Sequence, residues 1–370
     1  MNKKKIVFCA PRLHTNYYSL LKILKKNYDI YFVAKYKGNI ENYSNLKPKI
    51  FKKNIITNLI EIFISDKDKK NLVYLPNFFE FYYYLKKINP DIIILRLSGR
   101  LFIYFVIILS IILNKKIALH SQTDLKFFNN KKKGIKSFLK FIELKIILII
   151  SKGIYFSPIG EIDRTETFDK YNYLPFTYKI KKKTNTIKSI KILTNAKIQK
   201  RKRVELLINA LVSLNKNIYL TIIFQKDQNS DHQYYKKIRS LIIKKKLSKR
   251  VKVFININHS KINSFYQNHD IFVLPAEDEP GSISVVEAIC QGLPTICSDT
   301  CGTKSYIKNN INGFVFKSGS LNGLLSSLKK ITKKKEILRM RKNCFKISSK
   351  YLDARNILEI FKKNIVEKLI

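Results

Sequence analysis

DIFVLPAEDEPGSISVVEAICQGLPTICSDTCG, residues Asp270 to Gly302, decides the fold class of this 370-residue chain. The apolar run Ile271–Leu274 stops at Pro275, which suits a short strand buried in a parallel sheet. The turn Glu277–Ser282 carries Pro280 and Gly281, and Ser282 or Ser284 can cap a helix running through Gln291. Gly292 stops that helix, and Leu293–Cys297 begins another strand. A strand–turn–helix unit of this kind points backbone N–H groups and a helix N-terminus at whatever sits above the strand ends, and phosphate is the usual occupant.

The same alternation extends over the chain and predicts doubly wound α/β architecture. In the first half, strands are expected at Lys5–Ala10, Tyr28–Ala34, Asp91–Leu95, Lys116–Ser121, Ile154–Phe156 and Tyr171–Leu174. Helical patterns occupy Tyr17–Lys26, Asn77–Ile88, Leu101–Leu113 and Ile135–Ile149 between them. A second series of strands starts at Ser189–Thr194 and continues through Ile218–Phe224, Val251–Ile255, Ile271–Leu274, Thr295–Cys297 and Phe314–Phe316. The polar, lysine-rich stretch 177–188 reads as a linker. The expected division is a domain over 1–176, a linker over 177–188, a domain over 189–350, and a C-terminal helix over 351–370 that packs back toward the first domain.

Charge suggests a nucleic-acid binder, because 72 basic and 26 acidic residues give +46. Only 11 of the basic residues are arginines, whose planar forks read nucleic acid. The excess is mostly lysine on solvated faces, and no specific nucleic acid is expected. Such a surface is still drawn to anionic lipid headgroups. Cys9, Cys290, Cys297, Cys301 and Cys344 form no C-x-x-C pair and read as buried reduced thiols, in keeping with a cytoplasmic protein. The basic start MNKKKIVFCAP breaks at Pro11 after one strand length and is not a signal peptide. LFIYFVIILSIIL, 101–113, is shorter than the roughly twenty residues a bilayer needs and is expected as a buried helix. The chain reads as soluble or monotopic.

Glu279 and Glu287, followed by Ala288, Gly292, Pro294, Ser298-Asp299 and Gly302, resemble the donor-site signature of the GT-B retaining glycosyltransferases of family 4, the glycosyl transferases group 1. The resemblance implies two Rossmann-like domains facing a central cleft. It implies that Glu279 contacts hydroxyls of the transferred sugar and Glu287 the ribose of a nucleotide. The backbone of Gly281, Ser282, Ile283 and Ser284 would meet the diphosphate at the helix start. One departure stands out: the family's aromatic-Gly pair is Gly281-Ser282 here, so the glycine comes one position early. ILTNAKIQKRKRVELLINAL, 192–211, looks like the family's basic loop, with Lys197 and Lys202 at the two positions that clamp the donor diphosphate. Preformed cations there stabilise the charge of a departing nucleoside diphosphate without a metal. Arg201 and Arg203 are not distinguished from solvated neighbours. Asn258 falls where the family's base-reading loop lies.

By the same resemblance the first domain carries the acceptor. His14, Thr15 and Asn16 follow its first strand and offer hydrogen-bonding groups, although Thr15 or Asn16 could equally cap a helix. His120 ends a strand where many family members place a histidine against the donor sugar, and Gln122 stands two positions on. In 124–134, Phe127 and Phe128 lie among lysines, which suits contact with an anionic membrane. Neither a metal nor a cofactor is expected, although Asp278 between Glu277 and Glu279 could in principle hold a hard cation. The expected activity is retaining transfer from a nucleotide-diphosphate sugar to a saccharide or lipid-linked saccharide in surface polysaccharide synthesis, at the inner face of the cell membrane. The alternative is a non-catalytic polyanion- or nucleic-acid-binding protein on the same scaffold.

Overall fold

The computed structural model describes residues 3–37, 46–64, 73–98, 100–122, 135–160, 171–182, 187–226 and 230–370. They form two compact units: Met1–Pro158 with Arg164–Pro175 and Ala354–Ile370, and Ile159–Asp163 with Phe176–Asp353.

The first unit is built on six parallel strands: β1 (Lys5–Ala10), β2 (Asp29–Ala34), β3 (Ile92–Arg96), β4 (Lys116–His120), β5 (Ile154–Ser157) and β6 (Tyr171–Tyr173). Their order is β2-β1-β3-β4-β5-β6, as expected of a Rossmann-like sheet. Its strands are apolar on both faces because both are covered. Ile6 and Phe8 of β1 pack toward α1 (Tyr18–Leu24). Val7 and Cys9 pack into the opposite layer, made by α3 (Phe78–Ile88), α4 (Arg100–Ile112) and α5 (Ile135–Ile150). A shorter helix, α2 (Ile55–Ile62), precedes α3. Asn77 caps α3 by accepting from the Glu80 N–H at 3.1 Å, and Asn89 ends it in the left-handed region at φ 53°. The C-terminal helix Ala354–Phe361 and its π-helical continuation join the α1 layer, with Ile357, Phe361 and Ile365 wholly buried there.

One expectation fails in this unit. The 101–113 run does form a helix, but it is not buried: Phe102, Val106 and Leu109 face the sheet while Leu101, Ile108, Ile111 and Ile112 are exposed. An outer-layer helix has only one side to bury, and here the other side is apolar too.

The second unit has β7 (Ile190–Lys197), β8 (Ile218–Gln225), β9 (Val251–Ile255), β10 (Ile271–Leu274), β11 (Thr295–Ser298) and β12 (Gly313–Phe316), all parallel, in the order β12-β11-β10-β7-β8-β9. Around this sheet lie α6 (Val204–Val212), α7 (His232–Lys244), α8 (His259–Asn268), α9 (Ile283–Cys290), α10 (Leu321–Ile331) and α11 (Lys334–Tyr351). β7 runs three residues beyond its expected end, because it is central and its ladder with β8 continues to Lys197 opposite Gln225. α9 is held to two turns by Gly292, at φ 76°, where a Cβ would meet the Phe345 ring at 2.4 Å. Residues 176–178 are buried in this unit, and the Thr177 hydroxyl donates to the Leu352 carbonyl at 2.9 Å.

Candidate functional site

In the second sheet the strand order reverses between β7 and β10, so the loops beyond their carboxyl ends diverge and leave a crevice where ligands of open α/β sheets bind. The loop after β7 supplies Lys200–Lys202, one 3-10 turn that Arg203 closes at φ 49°. The loop after β10 supplies Glu279. Arg201 donates to Glu279 Oε2 at 2.6 Å, and Lys202 Nζ donates to the same oxygen. Lys202 and Glu279 are both buried. Burial pulls the Lys202 ammonium below its usual range, and the Glu279 carboxylate opposes that shift. Two cations on one carboxylate leave a net positive charge at the crevice.

The Glu279 backbone is held as tightly as its side chain. The Gly302 N–H donates to its carbonyl at 2.7 Å, and Glu279 bridges Cys301 in parallel fashion. Asp278 just before it lies in the left-handed region at φ 45°, and its carbonyl accepts from Arg201 at 3.3 Å. No alternative to glycine fits at 302, since a Cβ there would stand 1.8 Å from the Pro280 carbonyl oxygen.

The turn then enters α9. Ser282 occupies its N-cap position without a side-chain cap bond, its hydroxyl paired instead with that of Ser284 at 2.8 Å. Gly281 packs against Ile159 and Phe176, where a Cβ would come within 3.0 and 3.3 Å. Glu287 sits one turn further along α9, buried, and accepts from the Tyr266 hydroxyl at 2.6 Å. Burial and then the Glu287 charge raise the Tyr266 phenol well above its usual range, so it remains a donor. Tyr178 feels the same two influences and donates to Asn263 at 2.9 Å.

In the first unit, a second polar cluster gathers at the carboxyl ends of β1, β3 and β4. The Tyr17 hydroxyl meets His120 Nδ1 at 2.9 Å, and Arg96 reaches Tyr17 Oη and Gln122 Oε1, each at 3.4 Å. His120 is buried and stacks on Phe156, and burial followed by the Arg96 charge pushes its pKa down to about 3. The Tyr17 hydroxyl and Nδ1 share one proton-bearing contact, and the neutral imidazole keeps its other nitrogen, Nε2, outside it. Two buried polar atoms beside this cluster, Asn16 Oδ1 and Gln122 Nε2, have no hydrogen-bond partner. His14 Nδ1 accepts from the Asn16 N–H at 3.2 Å.

Of the expected donor residues, Lys197, Lys202, Asn258, Glu279, Gly281, Ser282, Ile283, Ser284 and Glu287 lie in the second unit, and His120 lies in the first. Lys202, Glu279 and Arg201 are joined directly. Lys197 closes β7 and is half-buried, and Asn258 lies exposed just before α8, its carbonyl accepting from Lys261. Arg201, Tyr266, Arg96 and Tyr17 were not legible as site residues. Each acts through a partner distant in sequence, and Arg201 stands among similar cations. The side chain of Thr15 and the aromatic stretch with Phe127 and Phe128 lie outside the described residues. Among the described residues no group of three or more His, Cys, Asp or Glu is arranged to hold a metal. A cavity of about 540 Å³ opens at the other end of the second sheet, against the first residues of β7, β8 and β9. Its His269 and Arg250 already bond protein groups, so we place the site at the carboxyl ends.

Residues 177–348 match the family described as Glycosyl transferases group 1. The matched residues lie within the second unit. The chain is 24% identical over 174 residues to the UDP-N-acetylglucosamine–peptide N-acetylglucosaminyltransferase GtfA subunit of Streptococcus agalactiae, which covers 47% of this chain and 30% of that protein. It is 31% identical over 90 residues to the UDP-Gal:alpha-D-GlcNAc-diphosphoundecaprenol alpha-1,3-galactosyltransferase of Escherichia coli, covering 24% of this chain and 22% of that one. The chain thus spans less than a third of the length of these curated relatives. In structure it is similar to Anabaena HepE in complex with UDP and glucose, with a TM-score of 0.75 at 14% identity over 98% of this chain and 100% of that one. The fold is that of two Rossmann-like units as in GT-B glycosyltransferases.

Proposed function

We propose that the chain is a retaining glycosyltransferase of family 4, which moves a sugar from a nucleoside-diphosphate donor to a saccharide or lipid-linked saccharide in surface polysaccharide synthesis, working on the cytoplasmic face of an anionic membrane. The observation that carries the reading is the buried Glu279–Lys202 pair with Arg201, set at the sheet's reversal point on the loop that leads into α9, the helix that carries Glu287, whose partner is Tyr266. A carboxylate already held by two cations is suited to bind sugar hydroxyls while the cations face a phosphate. Glu287, fixed by Tyr266, is suited to ribose hydroxyls. HepE, similar in fold, was solved with UDP and glucose, and the E. coli relative's substrate is a diphosphoundecaprenol-linked sugar.

In the proposed reaction the bond between the anomeric carbon and the diphosphate breaks as the acceptor hydroxyl attacks the same face. The proton of that hydroxyl passes to the departing phosphate oxygen. Lys202, Arg201 and Lys197, with the N–H groups opening α9, stabilise the charge that builds on the diphosphate, so the reading requires no metal and no cofactor. The first unit is assigned the acceptor. Its Arg96 and the partnerless atoms of Asn16 and Gln122 offer hydrogen bonds to a polar ligand there.

Calorimetry with UDP, GDP, CDP, ADP and dTDP, without added metal, tests this. One diphosphate should be preferred, and Glu287→Ala should weaken it by about 1–3 kcal/mol, the cost of unpaired buried groups. Glu279→Ala should keep the diphosphate and lose sugar transfer. Absence of binding to all five, with RNA still bound in a steeply salt-dependent way, would replace the enzyme by a polyanion-binding protein.

A further inference from the structure

We infer that the outer face of α4 and α5 in the first unit is a monotopic membrane-docking surface for a bilayer rich in anionic lipid. The two helices lie side by side, joined by a hydrogen bond from the Tyr104 hydroxyl to Glu143. On α4 the exposed residues are Leu101, Tyr104, Ile108, Ile111 and Ile112. On α5 they include Leu139, Ile142, Ile146, Ile149 and Ile150, the same five-position spacing, three, four, three and one apart. That spacing is a single helical stripe. Ile108 is 53% exposed and Ile149 65%, so neither is a core residue leaning outward. α4 carries no charge after Arg100, whereas the outer face of a water-facing helix is ordinarily polar. Leu59 and Phe63, on and just after α2, are also well exposed.

Charge selects the occupant. The stripes run to the last residues of both helices, where Lys116 and Lys152 stand exposed, and Lys86 and Lys87 are exposed in the last turn of α3. At +46, a second copy of this chain is repelled while an anionic lipid surface is attracted. No helix among the described residues is long and apolar enough to cross a membrane. An apolar face edged by lysines on such helices therefore lies in the interface plane, with the isoleucines at the acyl boundary. The inference deepens the membrane association proposed above and rests on it. It relocates the contact from the aromatic stretch at 127–128 to regular helices.

The test is flotation of the full chain with vesicles of phosphatidylglycerol and phosphatidylcholine, against phosphatidylcholine alone, at low and high salt. The wild type should float with the anionic vesicles and keep part of that binding at high salt. The double variant Ile108→Asp/Ile149→Asp should lose about tenfold or more in partitioning, since apolar burial sets interfacial affinity. Ile243→Asp on α7, also well exposed, should leave it unchanged. UDP binding by the double variant serves as the folding control and reports the donor reading separately. Equal flotation of wild type and double variant overturns the inference. So does a concentration-dependent dimer abolished by the double variant with flotation intact, which would give the face to a second copy. Vesicle binding without nucleotide binding would leave the docking face standing and remove the donor site.

Discussion

His120 shows how burial alone sets a residue's chemistry. Its ring is stacked on Phe156, its Nδ1 is taken by Tyr17, and Arg96 stands nearby, so the folded protein holds it neutral down to about pH 3. A histidine in the unfolded chain takes up its proton near 6.5. Below that value the unfolded state binds a proton that the folded state refuses, so stability falls with pH through the window from about 6.5 to about 3. His120→Gln should flatten this loss, visible as a smaller drop in melting temperature between pH 7 and pH 4 than in the wild type. An unchanged drop would mean that the ring protonates in place. The same neutrality makes His120 a hydrogen-bonding group for a hydroxyl, not a cation for phosphate. In the proposed site that task is given to Lys202, whose ammonium is pulled below its usual range by burial, against the opposing Glu279 carboxylate.

At the scale of elements, the loop after β10 depends on close backbone approach. Pro280, Glu279 and the Cys301–Gly302 segment come together so tightly that the missing side chain at Gly302 is a structural requirement. Gly302→Ala must push the Pro280 peptide away, and the hydrogen bond to the Glu279 carbonyl goes with it. We expect a cost of about 1–3 kcal/mol from overpacking. Activity should fall by a larger factor than stability suggests, because Glu279 moves relative to Lys202. Chemical denaturation and single-turnover assays on one sample separate the two effects, and a variant with wild-type turnover would show that the approach is not needed. Strand ends other than that of β7, the α9 stop at Gly292 and the positions of both glutamates were legible from spacing and turn residues. The Ser282 cap was not. The local pattern permits a serine cap, but here the hydroxyl has a neighbouring hydroxyl as its partner.

Across the whole molecule, the chain's last residues complete the core of its first unit. Phe361 is wholly buried beside Tyr28, and Asn364 donates to the Tyr173 carbonyl at 3.0 Å. Phe361→Ala should therefore cost the first unit about 3–5 kcal/mol. Nucleotide binding by the second unit should survive, and loss of both together would show that the two unfold as one. Apolar periodicity, glycine and proline punctuation and the Glu279–Glu287 spacing were enough to determine two doubly wound sheets and the loop that carries the candidate donor site, because those signals are local. Tertiary structure alone decided that Arg201 joins Lys202 on Glu279, that Tyr266 fixes Glu287, and that Arg96 and Tyr17 gather on His120. Each of those contacts joins residues at least 21 positions apart, and which side chain fills the position is set by the packing of strands around it. It also decided that the α4 run shows one apolar side to solvent, since an apolar run records the affinity of its residues for a nonpolar surround and not which surround they meet.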